Sequence, residues 1–215
     1  MLIAGSIRPG GANDMQAPIT VLTVTIRGRE SLLAENVASV NAQTIPVTAQ
    51  LVCSHPVGDD EPMVQYAHAK NLLLPAVTTP WVAVLNDDDS WLPHHVETVL
   101  PHLDHADVVY SWDVDGHKPR KNCNDWTIEA LRETFARTNF IDGNCLIRLS
   151  LLEQAGGFPT DWEGPGPWEG GHYAGSIARW EDWRLFQRLV DLGARFRCVP
   201  VATWTYGKTP GQICG

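Results

Sequence analysis

The 215-residue chain predicts an α/β fold, a mostly parallel central sheet with helices on both faces. Three observations predict it. Short β-branched runs alternate with stretches of helical spacing through the first half, and strands separated by helices pair in parallel. Some strands are apolar at every position, as in Trp81-Val-Ala-Val-Leu85, which suits a sheet covered on both sides. The length matches one domain with a sizeable core.

Element by element, residues 1–17 hold Gly5, Pro9, Gly10 and Gly11 with little periodicity, and read as a flexible arm before a single domain at 18–215. Residues 19–26 form the first strand. Leu32, Leu33, Val37 and Val40 recur at helical spacing, with Ser31 as N-cap. Residues 49–53 form a second strand, followed by an acidic loop at Asp59, Asp60 and Glu61 and a helix over 64–74. Residues 81–85 are the third strand. Pro93 opens a helix carrying Val96, Val99, Leu100 and Leu103, because proline suits the first helical turn. A fourth strand spans 107–111, a polar loop 113–126, a helix 127–137 and a strand 145–148. Ser150 and Glu153 have capping-box spacing, and Gly156-Gly157 ends that helix. Residues 158–179 form a long loop rich in glycine and tryptophan. Trp183, Phe186, Leu189 and Val190 mark the last helix, closed by Gly193, and a strand over 196–199 ends the fold.

Composition narrows the function. A formal net charge of -9 argues against a broad nucleic-acid footprint, which needs a basic face. The one local basic cluster is Lys118, Arg120 and Lys121. No apolar run reaches the roughly 18 residues of a membrane span, and residues 1–18 lack the order of a secretory leader. A soluble, cytoplasmic protein without membrane insertion is expected. The five cysteines are odd in number, with no C-x-x-C pair, so reduced and mostly buried thiols are expected.

The sharpest chemical feature is Asn86-Asp87-Asp88-Asp89 directly after an apolar strand. In an open α/β sheet, ligands bind outside the carboxyl ends of the strands. Three consecutive carboxylates repel one another, and a hard divalent ion, Mg²⁺ or Mn²⁺, relieves that and is shared with substrate phosphates. The bland alternative is an acidic turn at a helix N-terminus. Glu181-Asp182 opens the last helix behind the glycine- and tryptophan-rich loop. A carboxylate there is suited to general-base work, or is only a helix-dipole partner. His94, His95, His102 and His105 read as exposed, titrating surface residues.

With these elements in order, the chain resembles the large family 2 of inverting nucleotide-sugar glycosyltransferases. The resemblance rests on the opening strand, the helix ending Ala38-Ser39-Val40-Asn41-Ala42-Gln43-Thr44, Asn71, Leu85-Asn86-Asp87-Asp88-Asp89 with Pro93, Gly156-Gly157-Phe158, and Glu181-Asp182-Trp183-Arg184-Leu185 with Arg188, Leu189 and Gly193. It implies a GT-A-like (Rossmann-like) domain with a mixed, mostly parallel sheet. It also implies a donor nucleoside-diphosphate sugar, a DXD-type metal site for Mn²⁺ or Mg²⁺ at Asp89 and Asp88, and a base at Asp182, with Glu181 the second choice. Donor contacts fall on Thr25, Arg27, Arg29, Asn71, Asp87, Asp88 and Lys208. Acceptor contacts fall on Trp162, Trp168, His172 and Trp180. The implied acceptor carries a free hydroxyl on a glycan, a protein or a small molecule, with a modified DNA base less suited to the acidic chain. The pattern departs from the family at Cys53-Ser54-His55-Pro56, where members often carry an acidic residue for the nucleoside, which leaves the donor base open. Two other readings remain: a non-catalytic nucleotide- or glycan-binding module, and a phosphoryl- or nucleotidyl-transferring enzyme, though no G-x-x-x-x-G-K-[ST] loop is present.

Overall fold

The apolar runs fold as strands of one sheet, and the periodic stretches as helices against it. The computed structural model describes residues 2–4, 16–55, 62–116, 119–160 and 181–207. The elements are β1 (Leu2–Ala4), β2 (Ala17–Ile26), α1 (Glu30–Asn41), β3 (Val47–His55), α2 (Pro62–Leu73), β4 (Trp81–Val84), β5 (Ser90–Trp91), α3 (His95–Val99), β6 (Val108–Asp113), α4 (Ile128–Phe135), β7 (Leu146–Arg148), α5 (Leu149–Gln154), α6 (Glu181–Asp191) and β8 (Phe196–Thr205). Sheet order is β1-β3-β2-β4-β7-β6-β8-β5. β2, β3, β4, β6 and β8 run one way, while β1, β7 and β5 run against their neighbours. The sheet is mixed and mostly parallel in direction.

The two-residue period of a strand explains how the sheet supports two cores. Leu22, Val24, Val82, Val84, Val108 and Tyr110 face one layer, with α2, α4, α5 and α6. Ile19, Val21, Trp81, Ala83 and Val109 face the other, with Val40 of α1 and Val96 and Val99 of α3. Alternate residues of one strand therefore serve opposite layers. The first layer holds an aromatic knot: Phe135 lies 4.9 Å from Phe140, and 5.7 Å from both Phe186 and Phe196, between ring centroids.

Several local expectations are corrected. Ser31 is not the cap of α1, which starts at Glu30 with Arg29 at the cap position and no side-chain cap bond. Glu30 instead accepts the Gly28 N–H at 3.0 Å. Ser150 does not cap α5, because β7 runs straight into that helix with Arg148 at the cap position. Gly156 and Gly157 do end it, both at positive φ, near +80°. The last strand extends to Thr205 rather than stopping at Val199. Pro200 and Val201 interrupt its apolar pattern, and the register against β6 shifts there, where a residue without an N–H is tolerated. His95 is buried, not a surface residue. Its ring stacks on Trp91 at 4.2 Å, and its Nδ1 shares a 2.7 Å hydrogen bond with Thr203. Burial, then His94, lowers its pKa to about 3, so the ring is neutral.

Within the segment read as an arm, β1 pairs antiparallel with β3. Cys53, Cys123, Cys145 and Cys198 are buried free thiols; Cys214 lies outside the described residues. No helix among the described residues is long and apolar enough to cross a membrane.

Candidate active site

Parallel strands deliver their carboxyl ends to one edge of the sheet. Here the turn after β2, the acidic turn after β4 and the end of β8 meet. The acidic turn is held from beneath by amides. Asn36 of α1, wholly buried, donates from Nδ2 to the carbonyls of Asn86 (2.7 Å) and Asp89 (3.0 Å). Its Oδ1 accepts from Gln50 Nε2 at 2.8 Å and from Thr23 Oγ1 at 3.4 Å. Buried amides need all these partners, so this network fixes the turn's backbone on the sheet.

The three carboxylates then diverge. Asp87 accepts from Thr25 Oγ1 at 2.7 Å and pairs with the Arg29 guanidinium at 2.9 Å. Asp88 lies 3.4 Å from the same guanidinium. Asp89, 1% exposed, turns away from Arg29. Its Oδ2 accepts from Asn144 Nδ2 at 2.5 Å and Asn86 Nδ2 at 3.1 Å, and its Oδ1 accepts from the Gly207 N–H at 2.8 Å. No arginine or lysine among the described residues pairs with it. Burial, followed by the nearby charge of Asp142, pushes its pKa up to about 8 despite the hydrogen bonds from Asn144 and Gly207. A Cβ on Gly207 would collide with the Asp88 carbonyl, so only glycine brings this backbone so close to the acidic turn.

This set fits a hard divalent cation. Its oxygens are carboxylates, and among the described residues Asp89 is met by N–H donors alone, which a cation would complete. Among the described residues no three His, Cys, Asp or Glu form a full metal cage.

The second half of the site stands at the start of α6. Asp182 accepts the Trp183 N–H at 2.7 Å on Oδ1 and Asn139 Nδ2 at 3.0 Å on Oδ2. Trp183 Nε1 and Gln187 Nε2 both donate to the Phe135 carbonyl, at 2.7 and 2.9 Å, tying α6 to the end of α4. Glu181, beside Asp182, pairs with Lys70 of α2 at 2.7 Å, both side chains nearly buried. Lys70 also lies over the Phe158 ring at 5.3 Å. Asn71 clamps Phe158 through both backbone groups, at 2.8 Å each. A side chain on Gly157 would meet that amide.

Asp182 and Asp89 flank one segment, residues 138–145. It supplies Asn139 to the first and Asn144 to the second, and carries Asp142 between them. The structure thus brings together Thr25, Arg29, Asp87, Asp88 and Asp89, with Asp182 against the same 138–145 segment that Asp89 touches. Glu181 faces Lys70, Asn71 faces Phe158, and Arg27 is exposed. Trp162, Trp168, His172, Trp180 and Lys208 lie outside the described residues. Sequence reasoning missed Asn36, Gln50, Lys70, Asn139, Asp142, Asn144 and Gly207. Only the run Asn139-Phe-Ile-Asp-Gly-Asn144, polar residues crowded just before an apolar strand, offered a local signal.

Comparison with solved structures bears on the fold. S. aureus TarS, residues 1–349, superposes with a TM-score of 0.62 at 15% identity, covering 90% of this chain and 60% of that one. The same TarS fragment in complex with UDP-GlcNAc gives 0.62 at 15%, covering 93% and 60%. The mannosyltransferase PcManGT from Pyrobaculum calidifontis, in complex with GDP-Man and Mn²⁺, gives 0.59 at 18%, covering 93% and 59%. The fold is GT-A-like. The chain spans about 60% of the length of the TarS fragment it matches. No family model matches the chain, and no curated protein sequence does.

Proposed function

We propose that this protein is a metal-dependent glycosyltransferase that moves a sugar from a nucleoside-diphosphate sugar to an acceptor hydroxyl with inversion. The observation that carries the reading is the pairing of two carboxylates of different character across one segment. Among the described residues Asp89 is buried without a cationic partner, and Asp182 is half-exposed and oriented at a helix start. The GT-A-like fold supports it, and so do the nucleotide-sugar complexes of its structural neighbours.

Asp89, with Asp88 beside it, would hold Mn²⁺ or Mg²⁺. That ion, when bound, supplies Lewis-acid stabilisation of the departing diphosphate. Asp182 removes the proton of the acceptor hydroxyl, whose oxygen attacks the anomeric carbon from the face opposite the diphosphate. One displacement with one base inverts the centre. Arg29 and Thr25 hold Asp87 and keep the turn after β2 against the acidic turn, where the donor would lie. Lys70, through Glu181, fixes the first turn of α6 and so the direction of Asp182. Donor contact by Lys208 and acceptor contacts by Trp162, Trp168, His172 and Trp180 belong to the same proposal, as does an acceptor on a glycan, protein or small molecule.

A thermal-shift panel of UDP, UDP-GlcNAc and GDP-Man, with and without Mn²⁺, tests it on wild type and Asp89→Ala. Ligand at about a hundred times Kd adds roughly 2.7 kcal/mol to stability. A shift that requires Mn²⁺ and is lost in Asp89→Ala is expected. No shift with any nucleotide would reject the transferase reading.

A further inference from the structure

We propose that Asn139 and Asn144 are positioning residues. Two amides of one segment hold the Asp182 base and the Asp89 metal-binding carboxylate at a fixed separation; the assignment rests on the transferase reading above. Each amide is oriented without ambiguity. Asn144 Oδ1 accepts the Asn86 N–H at 3.1 Å, which leaves Nδ2 as the end facing Asp89. Asn139 Oδ1 accepts the Ile141 N–H at 3.3 Å, which leaves Nδ2 as the end facing Asp182.

The segment between them is itself rigidly mounted. Phe140 is buried in the aromatic knot, 4.9 Å from Phe135 and 5.3 Å from Trp126. Asp142 Oδ1 accepts the Asn144 N–H at 3.1 Å, and the Cys145 carbonyl accepts the Val84 N–H of β4 at 3.0 Å. The point where a Gly143 Cβ would stand is 3.6 Å from the Asp182 Cβ, so the segment lies directly against the base. One short piece of backbone, anchored in the core at one end and in the sheet at the other, therefore touches both carboxylates. In a single displacement the attacking oxygen and the leaving diphosphate must stay in line, and small misplacements of either support lower the rate steeply. A shared mount sets both supports from one frame.

The two amides separate by readout. Mn²⁺ alone, and Mn²⁺ with UDP, are titrated by the loss of the free-ion paramagnetic resonance signal. Release of nucleoside diphosphate from UDP-GlcNAc and from GDP-Man, with water as acceptor, gives kcat and KM at saturating Mn²⁺. Outer partners of metal ligands typically contribute about 10–100-fold in affinity. Asn144→Ala and Asn144→Ser are therefore expected to weaken Mn²⁺ binding by roughly tenfold or more and to regain most turnover when Mn²⁺ is raised. Asn139→Ala is expected to leave Mn²⁺ binding and donor KM unchanged and to lower kcat by about tenfold or more. Wild-type metal affinity in both Asn144 variants, or wild-type kcat in Asn139→Ala, overturns the proposal. So do parallel losses of both readouts at both positions, or failure of all three variants to melt cooperatively without metal, since either result assigns the amides to folding alone. Wild-type protein that neither binds Mn²⁺ nor releases nucleotide rejects the transferase reading and the proposal with it. Crossed effects in an active wild type support both.

Discussion

Asp89 and Asp107 are aspartates set at opposite ends of the sheet, and their surroundings differ in kind. Asp107, at the start of β6, takes the Arg148 Nε at 3.0 Å and the Arg195 Nε at 2.9 Å, with the Arg195 N–H at 3.0 Å besides. Although partial burial opposes it, the arginines bring its pKa down to about 2. Asp89 is more deeply buried and, among the described residues, has only amides and one backbone N–H. A carboxylate whose charge is met by arginine is a staple between elements: Arg148 also reaches the Leu103 and Ala106 carbonyls. A buried carboxylate supplied with donors but no counter-charge weakens the free protein and suits a cation brought by the substrate. Asp87 belongs with Asp107, because Arg29 has already answered its charge.

The largest effect that would break this contrast is at Asp89. Asp89→Asn should abolish Mn²⁺ binding and reduce nucleotide-sugar turnover by about 10³-fold or more, the range of several kcal/mol for metal assistance. The metal-free protein should meanwhile lose no more than about 1–3 kcal/mol, since a neutral amide is easier to bury than an unmatched carboxylate but its NH₂ group meets donors it cannot satisfy. Calorimetric titration with Mn²⁺ and a melt without metal read both halves; a large loss of metal-free stability would make Asp89 a staple like Asp107.

Next is Lys70→Ala. It strands Glu181 in a nearly buried position, and breaking such a pair costs about 3–5 kcal/mol. Urea unfolding should show that loss, and kcat should fall as the first turn of α6 loosens; Lys70→Met with Glu181→Leu should regain stability. Asp107→Ala should cost less, about 2 kcal/mol, because Arg195 is largely exposed and screened. Its Mn²⁺ affinity should match wild type. An altered affinity would show that the two ends of the sheet are coupled.

A separate effect concerns pH and is read as a slope rather than as a loss at one pH. His95 has a folded pKa lowered to about 3 against an ordinary value near 6.5. Its contribution is therefore complete above about pH 6.5 and is lost as pH falls from there toward 3, when the unfolded chain takes up the proton first. Denaturation midpoints between pH 7 and 4 should fall less steeply in His95→Gln than in wild type.

Much of the scaffold was legible locally. The runs at 19–26, 81–85 and 183–190 carry their period in adjacent residues, and each became the expected element. The positions of the acidic run after an apolar strand and of the Glu181-Asp182 pair at a helix start were legible for the same reason. Ser31 and Ser150 misled because cap residues compete with neighbours: Arg29 was drawn to Asp87, and β7 left no turn before α5. His95 misled because a helix of five residues shows too little period to reveal which face is buried. Asn36 and Gln50 gave no signal, because an amide in a sequence looks the same in a core as on a surface.

The sequence by itself determined the α/β class, the order of the longer strands and helices, and the placing of an acidic run at a strand's carboxyl end, because hydrophobic period and turn chemistry act over a few residues; β1 and the two-residue β5 were too short to show a period. Only the tertiary structure decided which acid is neutralised. Arg29 meets Asp87 across 58 positions, Asn144 meets Asp89 across 55, and Gly207 meets it across 118. Charge compensation and desolvation depend on distance in space, so three adjacent aspartates come to stand differently: Arg29 meets Asp87 and Asp88, while among the described residues Asp89 meets only N–H donors.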